Sequence, residues 1–466
     1  YEFPGRKILS GLVLVPMALP PLIGALSFSF LYGESGVFPR FFKVILHLNK
    51  VPFSLNGIPG VIVVHTFTMY TYFYLSASAA IKGLDPSLEE AASNLGAGRL
   101  TIWKKIILPM LTPSMIASSL LVFMTSMASY TAPLMFGVDR TMTMQISLSR
   151  TNGNLDMASA QSIILSFVSI SFLIIMQWYQ GRRNYQNQSK GIGVHRTEIH
   201  SPFIKYASMV FSIVGVIILL LPILVIVLIS FSVDGEWTTQ IIPASYTFQH
   251  YADLFTDTRT WRPIWNSIKM SSVAVIGNII FGVAAAYAMI RMKFKGKTMM
   301  DILIMVPWAL PGTVVAVNLI SAFSEPTVYS FGKVLIGTFW ILPLAYFVRQ
   351  LPLVYRNTSA SLVQMNESIE EAAQSLGASW WYSFRRVVLP IIMPGIFAGT
   401  LLAFVQGLTE FVASILIYNV STMPLSVAIW QKLYSFQFGT ACAYGVLQTI
   451  LIVIVLIVSE KLKSDY

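Results

Sequence analysis

The stretch YASMVFSIVGVIILLLPILVIVLIS, from Tyr206 to Ser230, contains no charged side chain. A run of that length is suited to lipid. About 20 apolar residues in a helix cross a hydrocarbon core of roughly 30 Å, and a helix satisfies its own backbone hydrogen bonds there. Comparable runs recur near 11–31, 58–80, 113–136, 158–178, 203–232, 268–290, 300–322, 334–351, 392–417 and 442–459. The pattern predicts ten spanning helices in an all-α polytopic membrane protein. Short alternating segments of the kind that build a membrane barrel are missing. Only 11% of the residues are charged, against about 25% in ordinary soluble domains.

The formal net charge of +11 follows from this class and does not call for nucleic acid. With the two Glu-Glu-Ala-Ala segments placed in the cytoplasm, 21 of the 31 Lys and Arg residues, Arg349 and Arg356 among them, fall on the inner side. This is the positive-inside bias, and the basic collar faces anionic lipid headgroups. The single cysteine, Cys442, can form neither an intrachain disulfide nor a paired-cysteine metal site.

Internal repetition organises the chain. VPMALP at Val15–Pro20 returns as VPWALP at Val306–Pro311, a shift of 291 residues. EEAASNLGAGRLTIWKKIILP at Glu89–Pro109 returns as EEAAQSLGASWWYSFRRVVLP at Glu370–Pro390, a shift of 281 residues. The first half therefore carries extra residues between the two landmarks, most simply in the loop after Leu31. Two homologous halves in one orientation are expected, 1–200 and 201–466, joined by the polar segment 179–202. The alignment also predicts a helix pair ahead of Tyr1, giving a parent of twelve helices.

In each repeated segment Ser-x-x-Glu (Ser87 with Glu90, Ser368 with Glu371) predicts a capping box that starts a helix. Apolar residues then fall at helical spacing: Leu88, Ala91, Ala92 and Leu95, and again Ile369, Ala372, Ala373 and Leu376. Gly96 and Gly377 sit where a helix end takes a residue tolerant of positive φ. A second short helix is expected to end at Pro109 or Pro390, the proline turning the chain into the next span. So short a helix is marginal alone in water. Its stripe docks either under its own bundle or in the groove of a partner, and two equivalent copies favour a partner with two equivalent sites.

Glu-Ala-Ala, three residues, Gly, nine residues and Ile-x-Leu-Pro resembles the cytoplasmic signature of permease subunits of binding-protein-dependent type I ABC importers. Glu90-Ala91-Ala92, Gly96 and Ile106-x-Leu108-Pro109 match throughout; Glu371-Ala372-Ala373, Gly377 and Val387-x-Leu389-Pro390 differ only by Val for Ile. The resemblance implies that Glu89, Glu90, Ala91, Ala92, Gly96 and Pro109, with Glu370, Glu371, Ala372, Ala373, Gly377 and Pro390, form two coupling loops. In that family such loops dock into two copies of a cytoplasmic ATPase subunit, and a periplasmic or lipid-anchored binding protein supplies the solute. The chain would then lie in a bacterial inner membrane.

The fused arrangement, GLTEFVASILIYNVSTMPLSVAIW (Gly407–Trp430) and LYGESG (Leu31–Gly36) are similar to the ferric-iron branch. Thiamine, aminoethylphosphonate and polyamine permeases share parts of the pattern. KFKGKT at Lys293–Thr298 has only the tail of a phosphate-binding loop. No cofactor is therefore expected on this chain, and ATP and Mg belong to the partner.

Glu410 is the clear intramembrane acid, read as eighteen residues into the span 392–417 and near its outer end, either as a mouth residue for a cationic substrate or as a paired structural carboxylate. In the other half Ser129 takes its place. His65 is read as a ligand or as a packing histidine. Two other classes stay open from the residues alone: an ion-coupled secondary transporter, which usually carries a midplane acid, and an ABC exporter.

Overall fold

The computed structural model describes residues 3–84, 86–182, 201–237 and 241–464. Residues 183–200, most of the expected linker, lie outside this set. The described residues are helical and contain no named strand, only an isolated bridge between Ser232 and Tyr246.

Two compact units are present: Tyr1–Val138 with Phe167–Val225, and Asp139–Ser166 with Ile226–Tyr466. In the second unit the short helix Met142–Thr151 packs on Gly312–Phe323. A segment from the first half of the sequence is thereby built into the unit that holds most of the second half.

Among the described residues, seven helices are long and apolar enough to cross a membrane, and two bent pairs raise the number to nine if each is one span. The one expected span outside these nine, 334–351, is the helix Ile341–Gln364. It begins later than expected, and it runs further because Arg349, Gln350 and Arg356 do not end it. Packing between Thr258–Arg291 and Leu389–Leu408 gives it partners other than lipid. Arg349, expected in the inner collar, instead sits inside this helix with a carboxylate partner.

The repeat is visible in the element boundaries. At a shift of 281 residues, Pro86–Asn94 falls on Glu367–Ser375, Arg99–Ile102 on Trp380–Ser383, and Leu108–Met127 on Leu389–Leu408. At a shift of 291, Pro21–Tyr32 falls on Gly312–Phe323. In the longer outer loop of the first half lies the extra helix Val37–Ile45.

Both VP-x-ALP segments break their spans. The axes turn by 101° after Ala18 and by 108° after Ala309. Leu19 and Leu310 precede prolines, which disfavours the helical region, and they take extended ψ values of 128° and 134°.

Helices approach closely where small residues permit it. A Cβ added at Gly399 would stand 2.8 Å from the Val354 Cα and 3.0 Å from the Leu353 carbonyl oxygen. In the first half the equivalent residue is Ser118, and its hydroxyl donates to the carbonyl of Tyr72, the counterpart of Leu353, at 3.4 Å.

Candidate functional site

Each Glu-Ala-Ala loop is built from a nine-residue helix, a left-handed glycine and a second helix that continues into a span. The expected serine caps are corrected by the structure. Ser87 and Ser368 lie inside their helices, and the second helix is capped by Asn366, whose side chain accepts the Ser368 N–H at 3.1 Å. The asparagine side chain reaches the N–H two residues on, which leaves the serine two positions too late to cap. In the first loop the equivalent residue is Asp85, outside the described set.

The glycines behave as the spacing predicts: φ is +82° at Gly96 and +88° at Gly377. A Cβ at either would meet nothing within 4 Å, so backbone conformation alone selects glycine.

The prolines do not turn the chain. Trp103–Ile107 and Phe384–Val388 form one wide π-type turn each and run directly into Leu108–Met127 and Leu389–Leu408. Widening the turn displaces the carbonyl that the proline ring would otherwise strike, so Pro109 and Pro390 are accommodated and the helix continues.

The apolar stripes are not covered by the chain's own bundle. Leu95 is 88% exposed and Leu376 90% exposed, with Leu88 and Ile369 exposed as well. Glu90, Glu371, Ala91 and Ala372 are also exposed, whereas Ala92 and Ala373 are half-buried. Glu89 is exposed in the first loop, but its counterpart Glu370 is 7% exposed and ion-paired with Arg291.

Glu410 does not lie within a continuous span. The helix ends at Leu408, and Glu410 occupies the break before the short helix Val412–Ile417. It is 7% exposed and bound to the chain on every side. One carboxylate oxygen pairs with Arg349. The other accepts the Ala413 N–H at 2.9 Å, satisfying the first turn of the short helix. Its carbonyl oxygen accepts the hydroxyls of Ser414 at 2.8 Å and Ser426 at 2.7 Å. Arg349 in turn lies against the break in the bent pair: a Cβ on Gly312 would stand 2.9 Å from its Nη1.

In the first half this charged knot is replaced by a neutral one. His65, the counterpart of Tyr346, has its Nε2 at 2.9 Å from the Ser129 hydroxyl and its Nδ1 at 2.8 Å from the Ser126 hydroxyl. Both ring nitrogens are therefore occupied by the fold, the arrangement of a packing histidine. Arg349 is the residue that sequence reasoning missed. Its signal was a lone arginine in an otherwise apolar run, 61 residues from the acid it meets. Among the described residues no three His, Cys, Asp or Glu side chains gather as a metal-holding group.

Residues 1–184 and 278–463 match the family described as "Binding-protein-dependent transport system inner membrane component". A probable ABC transporter permease protein of Sinorhizobium fredii is 29% identical over 433 residues, covering 92% of this chain and 76% of the relative. A ferric transport system permease protein of Actinobacillus pleuropneumoniae is 27% identical over 459 residues, covering 97% of this chain and 65% of that protein. A putative 2-aminoethylphosphonate transport system permease protein of Salmonella typhimurium is 28% identical over 257 residues, 55% of this chain and 92% of the relative. The match to the family model, carried through both copies of the repeat, makes this chain a member of the binding-protein-dependent transport system inner membrane components.

Proposed function

We propose that the chain forms the transmembrane pathway of an ATP-driven importer, breaking and making no covalent bond itself. Two copies of a separate cytoplasmic ATPase subunit, which carry the ATP and Mg, dock on the two Glu-Ala-Ala loops. An outer binding protein hands over the solute. The observation that carries this reading is the pair of short helices whose closing leucines, Leu95 and Leu376, stand exposed. An amphipathic helix presenting an uncovered apolar stripe fits a groove on a partner, and the repeat offers two such helices.

The solute we propose is ferric iron or an iron complex, in keeping with the ferric transport relatives that cover most of the chain. The aminoethylphosphonate relatives, aligned over 257 residues, favour a phosphonate as second reading. The identity of the cargo is tested by isolating the associated outer binding protein and analysing what it holds. Bound ferric iron, retained at equilibrium in competition with citrate, supports the first reading. A phosphonate with no iron overturns it in favour of the second.

A further inference from the structure

The second Glu-Ala-Ala loop is fastened to one particular place, the inner end of the span Thr258–Arg291. Arg291, the last residue of that helix, donates from Nη1 to Glu367 at 2.7 Å. Its Nη2 reaches the Met365 carbonyl at 3.1 Å and the Leu362 carbonyl at 3.4 Å. Its Nε stands 3.5 Å from a carboxylate oxygen of buried Glu370, an ion pair without hydrogen-bond geometry.

One turn earlier on the same helix, the Tyr287 hydroxyl donates to Glu370 at 2.5 Å and accepts from the indole N–H of Trp380 at 2.8 Å. Trp380 stacks on Phe384, with ring centroids 5.7 Å apart, and both meet the Tyr287 ring edge-on. Each element of the loop is thus tied to two residues of one span: the entry at 362–367, the helix through Glu370 and the exit through Trp380.

We propose that Arg291, Tyr287 and Glu370 form a latch that makes the second docking helix move as one body with the span Thr258–Arg291, acting as positioning residues for the coupling of ATP hydrolysis to transport. This rests on reading the loop as the ATPase docking element. A nine-residue helix does not hold its shape alone in water, and its apolar stripe faces outward. The polar contacts on its inner side, partly shielded from solvent, therefore supply its order, and charge-assisted bonds of this kind are strong and directional. Through them a tilt of the span displaces Leu376 and its neighbours together; without them the span moves and the docking helix lags.

The test is hydrogen–deuterium exchange on the full chain in lipid nanodiscs, with no partner present, so that it stands apart from the docking proposal. In Arg291→Gln, exchange over residues 366–379 rises on the order of tenfold, while the loop at 86–98 keeps the parental rate. Tyr287→Phe, which keeps the ring packing and loses only the hydroxyl, gives a smaller rise over the same residues and remains informative should Arg291→Gln fold poorly. Parental exchange in both variants overturns the latch, as does a rise spread over the whole chain. In the assembled transporter the latch predicts that Arg291→Gln still copurifies with the ATPase but moves less solute per ATP hydrolysed. An unchanged ratio with a loosened loop overturns the coupling role and leaves the docking assignment intact.

Discussion

Leu95→Asp combined with Leu376→Asp is expected to abolish capture of the ATPase subunit by the detergent-solubilised chain. Both leucines are almost fully exposed, so the substitutions change the stability of the isolated chain by less than about 0.5 kcal/mol. In the proposed complex the same side chains enter an apolar groove, where an unpaired carboxylate costs several kcal/mol. A loss of about 3 kcal/mol at one site already lowers affinity more than a hundredfold, and the double variant suffers it at two. Each single variant keeps one intact loop and retains partial capture. Parental capture by the double variant, with the chain folded and inserted, rules out these helices as the docking elements.

The second large effect is expected at the Glu410 knot. Glu410→Gln leaves the Arg349 guanidinium without its counter-charge in a mostly buried site, and breaking such a pair from one side costs about 3 kcal/mol or more. Thermal denaturation of the purified chain reads this directly, as a clear fall in the melting temperature. Restoring balance with Arg349→Met and Glu410→Met together recovers a large part of the loss, because well-packed apolar pairs can replace buried ion pairs.

Transport then separates the two roles the acid can have. A paired structural carboxylate predicts that the restabilised double variant transports, whereas a carboxylate that meets the solute predicts that it stays inactive. Its bonds to Arg349 and Ala413, and those of its carbonyl to Ser414 and Ser426, support the structural role. Denaturation of Glu410→Gln at the parental temperature contradicts that role.

The repeat was legible residue by residue because both halves keep the same local chemistry. Gly96 and Gly377 mark helix ends that depend only on backbone conformation, so their spacing alone locates them. Prolines after Leu19 and Leu310 mark breaks by restricting the residue before them, although sequence leaves open whether they break or merely kink. What the sequence did not yield depends on contacts far along the chain. Asn366 outcompetes Ser368 as cap by a register of two residues, a difference that the Ser-x-x-Glu spacing conceals. Pro109 and Pro390 read as stops, yet a wide turn carries the helix through them. Arg349 looked like collar charge until the fold set it against Glu410. Arg291, at the foot of one span, gave no sign that a loop 76 residues later would close on it.

The proposed function makes solute movement through this chain depend on ATP hydrolysed by another subunit. That dependence is measured in proteoliposomes that contain the chain and its ATPase, with ATP inside and the solute-loaded binding protein outside. Uptake is expected to require internal ATP and the external binding protein, and to persist when proton and sodium gradients are collapsed. Uptake by the chain alone, driven by an imposed ion gradient without ATP, would contradict it.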